Sequence, residues 1–415
     1  MNILKLPQLA WHGATGALEL PLPDNWQTEM CHMSGYNKPP LTSDQIRAAV
    51  TQNLIGTSPI RELARGKQEV VIIFDDMARG TRVADIIPCV IEELEEAGIP
   101  DERIRFIAAL GCHGAMNRLD FIKKLGEKVV NRFPVYNHNP FDNCVYVGTT
   151  SHGTKIHLNA EVMKCDFKIA IGSVTSHIMS GFSGGGKIIL PGIASFASID
   201  ALHSLPKVLS QEHQSQVIIK AGITENNPIH QDIEEGAFFS GLNIKIETLT
   251  NYWGETAAVY AGTLRKAHAA CLEDARTHLL TPRAMDKDIV IANTFAKANE
   301  AVIGVITSLP SVKSTGGDIV LISNAPEGQM THYLMGPFGK MIKSRQGMQI
   351  PIPPFINHLI IFSEYPDLAS KGYFEPSDKL MFLHKWDDVL QILQKFHSGG
   401  ARVAVYPHAD IQYCK

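Results

Sequence analysis

Apolar runs of strand length alternate with helix-like patterns along most of the chain. The run QEVVIIFDD at 68–76 is rich in β-branched residues and stops at two aspartates. The next segment, 85–99, spaces its apolar residues by about 3.6 positions and ends near a glycine and a proline, as a helix does. Segments 103–114 and 165–177 repeat the strand pattern. The alternation predicts an α/β fold.

Polar residues follow three of these predicted strands. Asp76 with Arg79 follows the first, His113 the second and His177 the third. In open α/β sheets the ligand crevice lies outside the carboxyl ends of the strands. We therefore expect the chemistry of the protein where these side chains converge.

A second unit is predicted after the long helical stretch at 264–280. Residues 281–287 read as a linker, with Pro282 as a helix breaker. Strand-like runs then recur at 288–295, 316–326, 357–365, 379–386 and 401–407. We expect a larger N-terminal domain, 1–280, and a smaller C-terminal α/β domain, 281–415, whose last strand could return to the first domain.

Composition excludes several classes of function. The 415 residues carry a net charge of −4, so nothing suggests a nucleic-acid or anionic-membrane surface. The N-terminus lacks the pattern of a signal peptide, and no run of eighteen apolar residues suggests a membrane span. The seven cysteines form no CxxC pair, which favours reduced thiols. We expect a cytoplasmic protein with a small-molecule substrate.

The segment GFSGGGKI at 181–188 is the strongest local motif. It matches the phosphate-loop spacing through Gly181, Gly186 and Lys187, but Ile188 stands where that loop needs a hydroxyl for Mg²⁺. A P-loop-like nucleotide-binding protein or small-molecule kinase is thus the alternative function. A glycine-rich turn with a solvated lysine is the purely structural interpretation.

Two histidines flank this lysine. His177 precedes Lys187 by ten residues and His203 follows it by sixteen. Neutral imidazole serves as a metal ligand and as a general base near neutral pH. A lysine in such a loop can be a covalent anchor or a phosphate contact. The histidines form no HxH or HExxH cluster, so a metal held by protein ligands alone is poorly supported.

These motifs together resemble the lactate racemase family of nickel-dependent racemases and epimerases. The resemblance is carried by NHN at 137–139, by SHIMSGFSGGGKIILPG at 176–192 and by the histidine at 203. Upstream, DDMARGTR at 75–82 resembles the family's Asp-x-x-Arg motif, and LGCHGAMN at 110–117 its Gly-x-His motif. The C-terminal half is similar only in general architecture.

The resemblance implies a cofactor. In the family a lysine, matched here by Lys187, binds covalently a pyridinium-3-thioamide-5-thiocarboxylic acid mononucleotide. This nickel-pincer nucleotide holds nickel through S, C and S, and a histidine matched by His203 completes the site. A planar nickel site with soft donors is chemically reasonable. The Asp-x-x-Arg segment, residues Asp76, Met77, Ala78 and Arg79, is expected to contact the cofactor, Asp76 at its ribose.

The resemblance also implies a reaction. A 2-hydroxy acid would lose its Cα hydrogen as hydride to the pyridinium, with His113 and His177 as the acid/base pair for the two enantiomers. Arg79 suits a substrate carboxylate, because its planar guanidinium binds carboxylates in a bidentate manner. The C-terminal domain would close over the substrate, and cofactor-maturation enzymes would be partners.

Several positions depart from the family pattern. Asn139, Ser176 and Gly114 stand where an aspartate, a proline and an arginine are usual. Val302 and Val305 align with residues that contact lactate in the family, and Lys297 or Glu300 could replace them. We therefore expect a racemase or epimerase of a lactate-like or larger 2-hydroxy acid, including aryl and sugar acids.

Overall fold

Strands and helices alternate through the molecule. The computed structural model describes residues 2–9, 16–211, 219–344, 349–367 and 369–415. The strands are β1 (Asn2–Leu6), β2 (Leu18–Leu22), β3 (Gln27–Met30), β4 (Val70–Asp75), β5 (Ile104–Ala109), β6 (Val135–Asn137), β7 (Cys144–Thr149), β8 (Lys155–Asn159), β9 (Phe167–Ser173), β10 (Ser176–His177), β11 (Gly181–Phe182), β12 (Ile244–Thr250), β13 (Thr256–Gly262), β14 (Leu280–Thr281), β15 (Ile289–Asn293), β16 (Gly317–Ile322), β17 (Ile356–Phe362), β18 (Leu380–Leu383), β19 (Arg402–Tyr406) and β20 (Tyr413–Cys414). The helices are α1 (Ser43–Thr51), α2 (Ile60–Leu63), α3 (Val83–Glu96), α4 (Arg118–Leu125), α5 (Glu127–Arg132), α6 (Ala160–Lys164), α7 (Phe196–Gln211), α8 (Pro228–Phe238), α9 (Leu264–His278), α10 (Val302–Ser308), α11 (Gly336–Met341) and α12 (Trp386–Phe396). The predicted α/β class is confirmed.

Six strands form the first sheet, in the order β13-β12-β9-β4-β5-β6. All neighbours are parallel except β12 and β13, which form an antiparallel edge. The chain moves from β4 outward to β5 and β6 on one side, and later to β9 and β12 on the other. The order therefore reverses at β4, and such a switch point opens a crevice at the carboxyl ends of the strands.

The core lies on both faces of this sheet. Along β4, Val70, Ile72 and Phe74 pack on the face covered by α1 to α5, while Val71 and Ile73 pack on the opposite face. That second face is covered by residues of the glycine-rich segment, α7 and α8. Burial on both sides explains why the predicted strands are continuous apolar runs rather than alternating ones.

The second sheet has the order β18-β17-β16-β15-β19-β3, and its strands are parallel. The predicted strand runs of the C-terminal half coincide with β15 to β19. β19 stays inside this sheet between β15 and β3, and the short β20 pairs with β14. The predicted domain boundary at residue 280 falls within β14, and the division of the chain into two domains stays a prediction.

The N-terminal stretch belongs to the second sheet, not the first. β3 pairs with β19 from Gln27 to Met30, and leucines of β1 and β2 pack in the core of the second sheet. This stretch thus associates with the second sheet although it lies inside the predicted domain 1–280, whose bounds stay a prediction. Pairing with β3 covers the edge of β19, which would otherwise expose unpaired backbone groups. The polar run QTEM gave no strand signal in the sequence.

The described helices are short. α7 has 16 residues and α9 has 15, whereas a membrane-crossing helix needs about 20 apolar residues. Within the described ranges, no helix is both long and apolar enough to span a bilayer.

Candidate active site

The carboxyl ends of β4, β5 and β9 open onto a cavity. The predicted residues that line it are Asp76, Arg79, His113, His177, Lys187 and His203. The structure thus brings together side chains that are spread over 127 positions of the sequence, from 76 to 203.

His113 is held by Asp76. Nδ1 of His113 lies 2.5 Å from Oδ2 of Asp76, and both residues are buried. A carboxylate only accepts hydrogen bonds, so Nδ1 carries a proton and Nε2 keeps the lone pair in the neutral ring. Burial opposes a charge on this ring, but Asp76 and then Cys112 outweigh it and raise the pKa of His113 well above its ordinary value. The pair is arranged as a base and its orienting carboxylate.

His177 has the opposite arrangement. Its Nδ1 accepts hydrogen bonds from the backbone N–H groups of Met179 at 3.2 Å and Ser180 at 3.1 Å. In the neutral ring the proton is therefore on Nε2. Burial lowers the pKa of His177 well below its ordinary value. His177 thus stays neutral and offers a hydrogen-bond donor.

The glycine-rich segment forms a hairpin followed by a short 3₁₀ helix. β10 and β11 pair at 176–182, and Lys187 lies in the 3₁₀ helix Gly185–Ile188. Gly184 and Gly185 have φ of +81° and +52°, values that favour glycine. The buried Glu247 accepts a hydrogen bond from the N–H of Gly185 and also contacts His268. The buried side chain of Glu247 therefore holds this loop in place.

Lys187 points its amine into the cavity. Its Nζ lies 3.4 Å from Oγ of Ser180. Burial and the nearby positive charges of Arg79 and Lys297 lower the pKa of Lys187 well below its ordinary value. A neutral amine is nucleophilic, so this lysine is suited to forming a covalent bond.

The ring of His203 is oriented by a backbone carbonyl. On α7, its Nδ1 lies 2.8 Å from the carbonyl oxygen of Ile199. The carbonyl accepts, so Nδ1 carries the proton and Nε2 bears the lone pair. A metal-binding histidine is commonly oriented in this way by a backbone carbonyl.

The Asp-x-x-Arg segment lies in a tight turn after β4. Oδ1 of Asp76 accepts from the N–H of Ala78 at 2.9 Å, and Nη1 of Arg79 donates to the carbonyl of Ala78 at 2.8 Å. Met77 lines a neighbouring cavity and Ala78 is fully buried. Both carboxylate oxygens of Asp76 thus already have protein donors.

Lys297 lies next to the main cavity rather than in its lining. It borders an adjoining cavity that shares His177 with the first. Burial, followed by the charge of Arg79, lowers the pKa of Lys297 to about 8. Val302 and Val305, which the family resemblance was expected to align with lactate-contacting positions, pack in the core of the second sheet.

The cavity is also lined by three residues that the sequence did not identify together as part of a site: Cys112, Glu300 and His332. Cys112 precedes the predicted His113, and Glu300 was named only as a possible replacement. His332 carried no local signal, because the segment 331–333 reaches the site by pairing with 112–114. Nε2 of His332 lies 3.5 Å from Sγ of Cys112 and 3.8 Å from Oε1 of Glu300.

Cys112, His113 and His332 hold ligand atoms within 4.8 Å of one another, a spacing compatible with a metal ion. The hydrogen bonds of His332 argue against that use. Its Nδ1 accepts from the N–H of Leu334 at 3.1 Å, so in the neutral ring Nε2 carries the proton that faces Cys112. A protonated nitrogen donates to sulfur and cannot bind a metal. The cluster is better described as a cysteine sulfur that accepts a hydrogen bond from an imidazole.

The surroundings of Lys187 do not match a phosphate loop. Such a loop joins a strand directly to the N-terminus of an α-helix, where backbone N–H groups meet the phosphates. Here the lysine is in a four-residue 3₁₀ helix, and α7 begins only at Phe196. The geometry does not favour the nucleotide-binding alternative.

Comparison with known proteins gives a consistent result. A family model described as "Lactate racemase N-terminal domain" matches residues 14–216. The lactate racemase of Lactiplantibacillus plantarum is 30% identical over 383 residues, which cover 86% of this chain and 87% of that protein. The lactate racemase of Thermoanaerobacterium thermosaccharolyticum is 29% identical over 262 residues, 63% of this chain and 60% of that protein.

Solved structures share the fold. The lactate racemase apoprotein from Thermoanaerobacterium thermosaccharolyticum aligns over 100% of both chains with a TM-score of 0.74 and 21% identity. A protein from Thermotoga maritima aligns over 91% of this chain and 99% of its own, with a TM-score of 0.66 and 17% identity. At these identities the similarity shows a shared fold, which includes both sheets.

Proposed function

The chain belongs to the lactate racemase family, and on that premise we propose that it racemises or epimerises a 2-hydroxy acid. The observation that carries the proposal is the gathering of Lys187, His203, His113 and His177 around one cavity. Each has the bonding that its role requires: a neutral amine, a ring oriented by a backbone carbonyl, a base and a donor.

The residues fit a lysine-tethered nickel-pincer nucleotide. Lys187 offers an amine whose pKa is lowered by burial, and His203 lines the same cavity with its Nδ1 bonded to a backbone carbonyl. Lys187 would hold the group covalently and His203 would complete the nickel coordination. When bound, the group supplies an acceptor for the hydride that leaves Cα of the substrate.

The chain's own side chains would move the proton. Nε2 of His113 takes the proton of the 2-hydroxyl, and Asp76 stabilises the imidazolium that forms. Nε2–H of His177 donates to the 2-oxygen, since its other nitrogen is occupied by backbone donors. Arg79 is the candidate for the substrate carboxylate. Asp76 is here a positioning residue, proposed in place of a ribose contact.

Closure of the site would depend on the second unit. The N–H of Gly114 donates to the carbonyl of Thr331 at 2.9 Å, and the N–H of Tyr333 donates to the carbonyl of Cys112 at 2.8 Å. These bonds bring the loop after β16 over the cavity and limit the access of water to it.

The test is co-expression with the enzymes that make the cofactor. We expect about one nickel per chain, a mass adduct on Lys187, and exchange of the Cα hydrogen of a 2-hydroxy acid with loss of optical purity. A protein with the adduct that neither exchanges nor racemises any 2-hydroxy acid would contradict the proposal. Mg²⁺-dependent binding of a nucleoside triphosphate without an adduct would favour the kinase alternative.

A further inference from the structure

Glu300 is a buried carboxylate in the cavity with an unused hydrogen-bonding oxygen. It is 7% exposed, and its Oε2 has no hydrogen-bond partner among the residues that the structure describes. Its nearest charged neighbours are at ion-pair rather than hydrogen-bond distance: Nη1 of Arg79 at 3.8 Å, Nε2 of His113 at 3.9 Å and Nε2 of His332 at 3.8 Å. A buried carboxylate without a donor is costly unless a ligand supplies one.

The position of Glu300 is fixed by its backbone. The preceding segment is held by Asp410, whose Oδ2 accepts from the N–H groups of Phe295 and Lys297. The following residue, Ala301, donates its N–H to Oε1 of Gln329 at 2.9 Å. The carboxylate is therefore presented to the cavity by a braced turn, as a recognition group needs to be.

We propose that Glu300 selects a 2-hydroxy acid that also carries a hydroxyl on C3, as glycerate and longer polyhydroxy acids do. This rests on the proposed function, because it places the 2-hydroxyl at Nε2 of His113. A hydroxyl on the next carbon lies about one hydrogen-bond length, about 2.8 Å, from the 2-hydroxyl. Oε1 of Glu300 is 3.9 Å from that Nε2 and is therefore within reach of the C3 hydroxyl, whereas the unpartnered Oε2 of the same carboxylate lies on the side of Arg79.

The same carboxylate discriminates against other substituents on C3. The methyl group of lactate leaves Glu300 without a donor, and a site built to bind a hydroxyl strongly rejects the analogue that lacks it. A second carboxylate, as in malate, would be repelled by Glu300. An aromatic ring, as in 3-phenyllactate, would bury the carboxylate against an apolar surface.

The experiment compares substrates that differ only at C3. The matured enzyme, with its Lys187 adduct checked by mass, is assayed for racemisation of glycerate, lactate, malate, 3-phenyllactate and isoserine. We expect kcat/KM for glycerate to exceed that for lactate by at least about 100-fold. Glu300→Ala should bring the ratio of glycerate to lactate close to one. Glu375→Gln, an exposed position far along the chain, is the control that should keep the wild-type ratio.

The outcomes separate the two proposals. Equal turnover of glycerate and lactate by the adduct-bearing wild type, or an unchanged ratio in Glu300→Ala, overturns the inference and leaves the racemase function standing. A preference for isoserine points to an ammonium donor and also overturns it. An enzyme that forms no adduct, or forms it and turns over neither the five acids nor any other 2-hydroxy acid, refutes the proposed function and the inference with it.

Discussion

Oδ2 of Asp76 lies 2.5 Å from Nδ1 of His113, and this contact determines which nitrogen of the ring faces the cavity. The second cavity histidine, His177, is held at the same nitrogen by backbone donors instead. The two rings therefore differ in chemistry: Nε2 of His113 gains and loses a proton with a raised pKa, whereas His177 stays neutral and keeps its proton on Nε2.

Asp76→Asn tests the first of these roles. The amide can donate to Nδ1 and would then shift the ring proton to Nε2, so we expect kcat to fall by about 100-fold or more with KM little changed. Because Asp76 raises the pKa of His113, any remaining activity should show its acid limb at lower pH than the wild type. Steady-state kinetics measures kcat and KM, and the pH profile of kcat/KM locates the acid limb. Asp387→Asn, on the exposed side of α12, should keep the wild-type profile, and an unshifted limb in Asp76→Asn would contradict the assignment.

His177→Gln and His177→Ala test the second role. A glutamine amide retains an N–H donor but cannot act as a base, whereas alanine retains neither. Loss of an acid–base group usually lowers activity by about 10²–10⁴-fold. If His177 acts as a donor, the glutamine variant should be at least about tenfold more active than the alanine variant. Racemisation should be followed from both enantiomers. Equal losses in the two variants would instead make His177 a base.

The convergence of the strand ends could be predicted from the sequence. Parallel strands place their carboxyl ends at one edge, so residues that follow three apolar runs had to meet there. The family motif then allowed Lys187 and His203 to be assigned to the same place. Both steps use local patterns, namely strand, turn and polar residue.

Residues from the second sheet could not be predicted in the same way. His332 contacts Cys112 across 220 positions, and the contact depends on backbone pairing between two loops. Glu300 faces the cavity because Asp410 and Gln329 hold its turn, while Val302 and Val305 turn into the core. β3 joins the second sheet as an edge strand of four residues with no apolar pattern. Each outcome is decided by tertiary contacts that leave no periodic signal.

Lys187→Ala and Lys187→Arg should both prevent cofactor loading. Alanine removes the amine, and arginine remains protonated and so is not a nucleophile. After co-expression with the maturation enzymes, the intact mass should show no adduct on either variant, while Lys395→Ala, at an exposed position of α12, should load as the wild type does. Peptide mapping locates the adduct. An adduct retained in Lys187→Ala would mean that another side chain is the anchor.

Glu247→Met tests how the loop that carries Lys187 is held. Glu247 is fully buried, 3.2 Å from both Lys245 and His268, and accepts from the N–H of Gly185. Removing one member of a buried ion pair leaves its partner uncompensated, so the free energy of unfolding should fall by about 3–5 kcal/mol. Urea unfolding of the protein without cofactor measures this.

The companion variants separate charge from packing. Lys245→Met combined with Glu247→Met removes both charges, and we expect it to be more stable than Glu247→Met alone. Glu273→Met, at an exposed position of α9, should stay within about 0.5 kcal/mol of the wild type. If the double variant is the least stable of the set, the ion pair is not what holds the loop.

Gly114→Arg tests the contact that closes the cavity. A Cβ on Gly114 would stand 3.1 Å from Cβ of Thr331, tighter than ordinary packing, although the backbone of Gly114 itself would accept a side chain. The added side chain should therefore displace the loop that carries His332, at a cost of about 1–3 kcal/mol. Displacement of His332 also uncovers Cys112, which is 7% exposed, so its alkylation by iodoacetamide should accelerate.

A second substitution tests whether the contact with Thr331 causes both the loss of stability and the faster alkylation of Cys112. Thr331→Gly removes the Cβ that a side chain at 114 would meet, so the double variant Gly114→Arg with Thr331→Gly should recover slow alkylation of Cys112 and part of the lost stability. Gly399→Arg is the matched control, because a Cβ there meets nothing within 4 Å. Fast alkylation that persists in the double variant would show that the arginine acts through another contact. Recovery would instead establish that absence of a side chain at 114 is what lets the second sheet deliver His332 to the site.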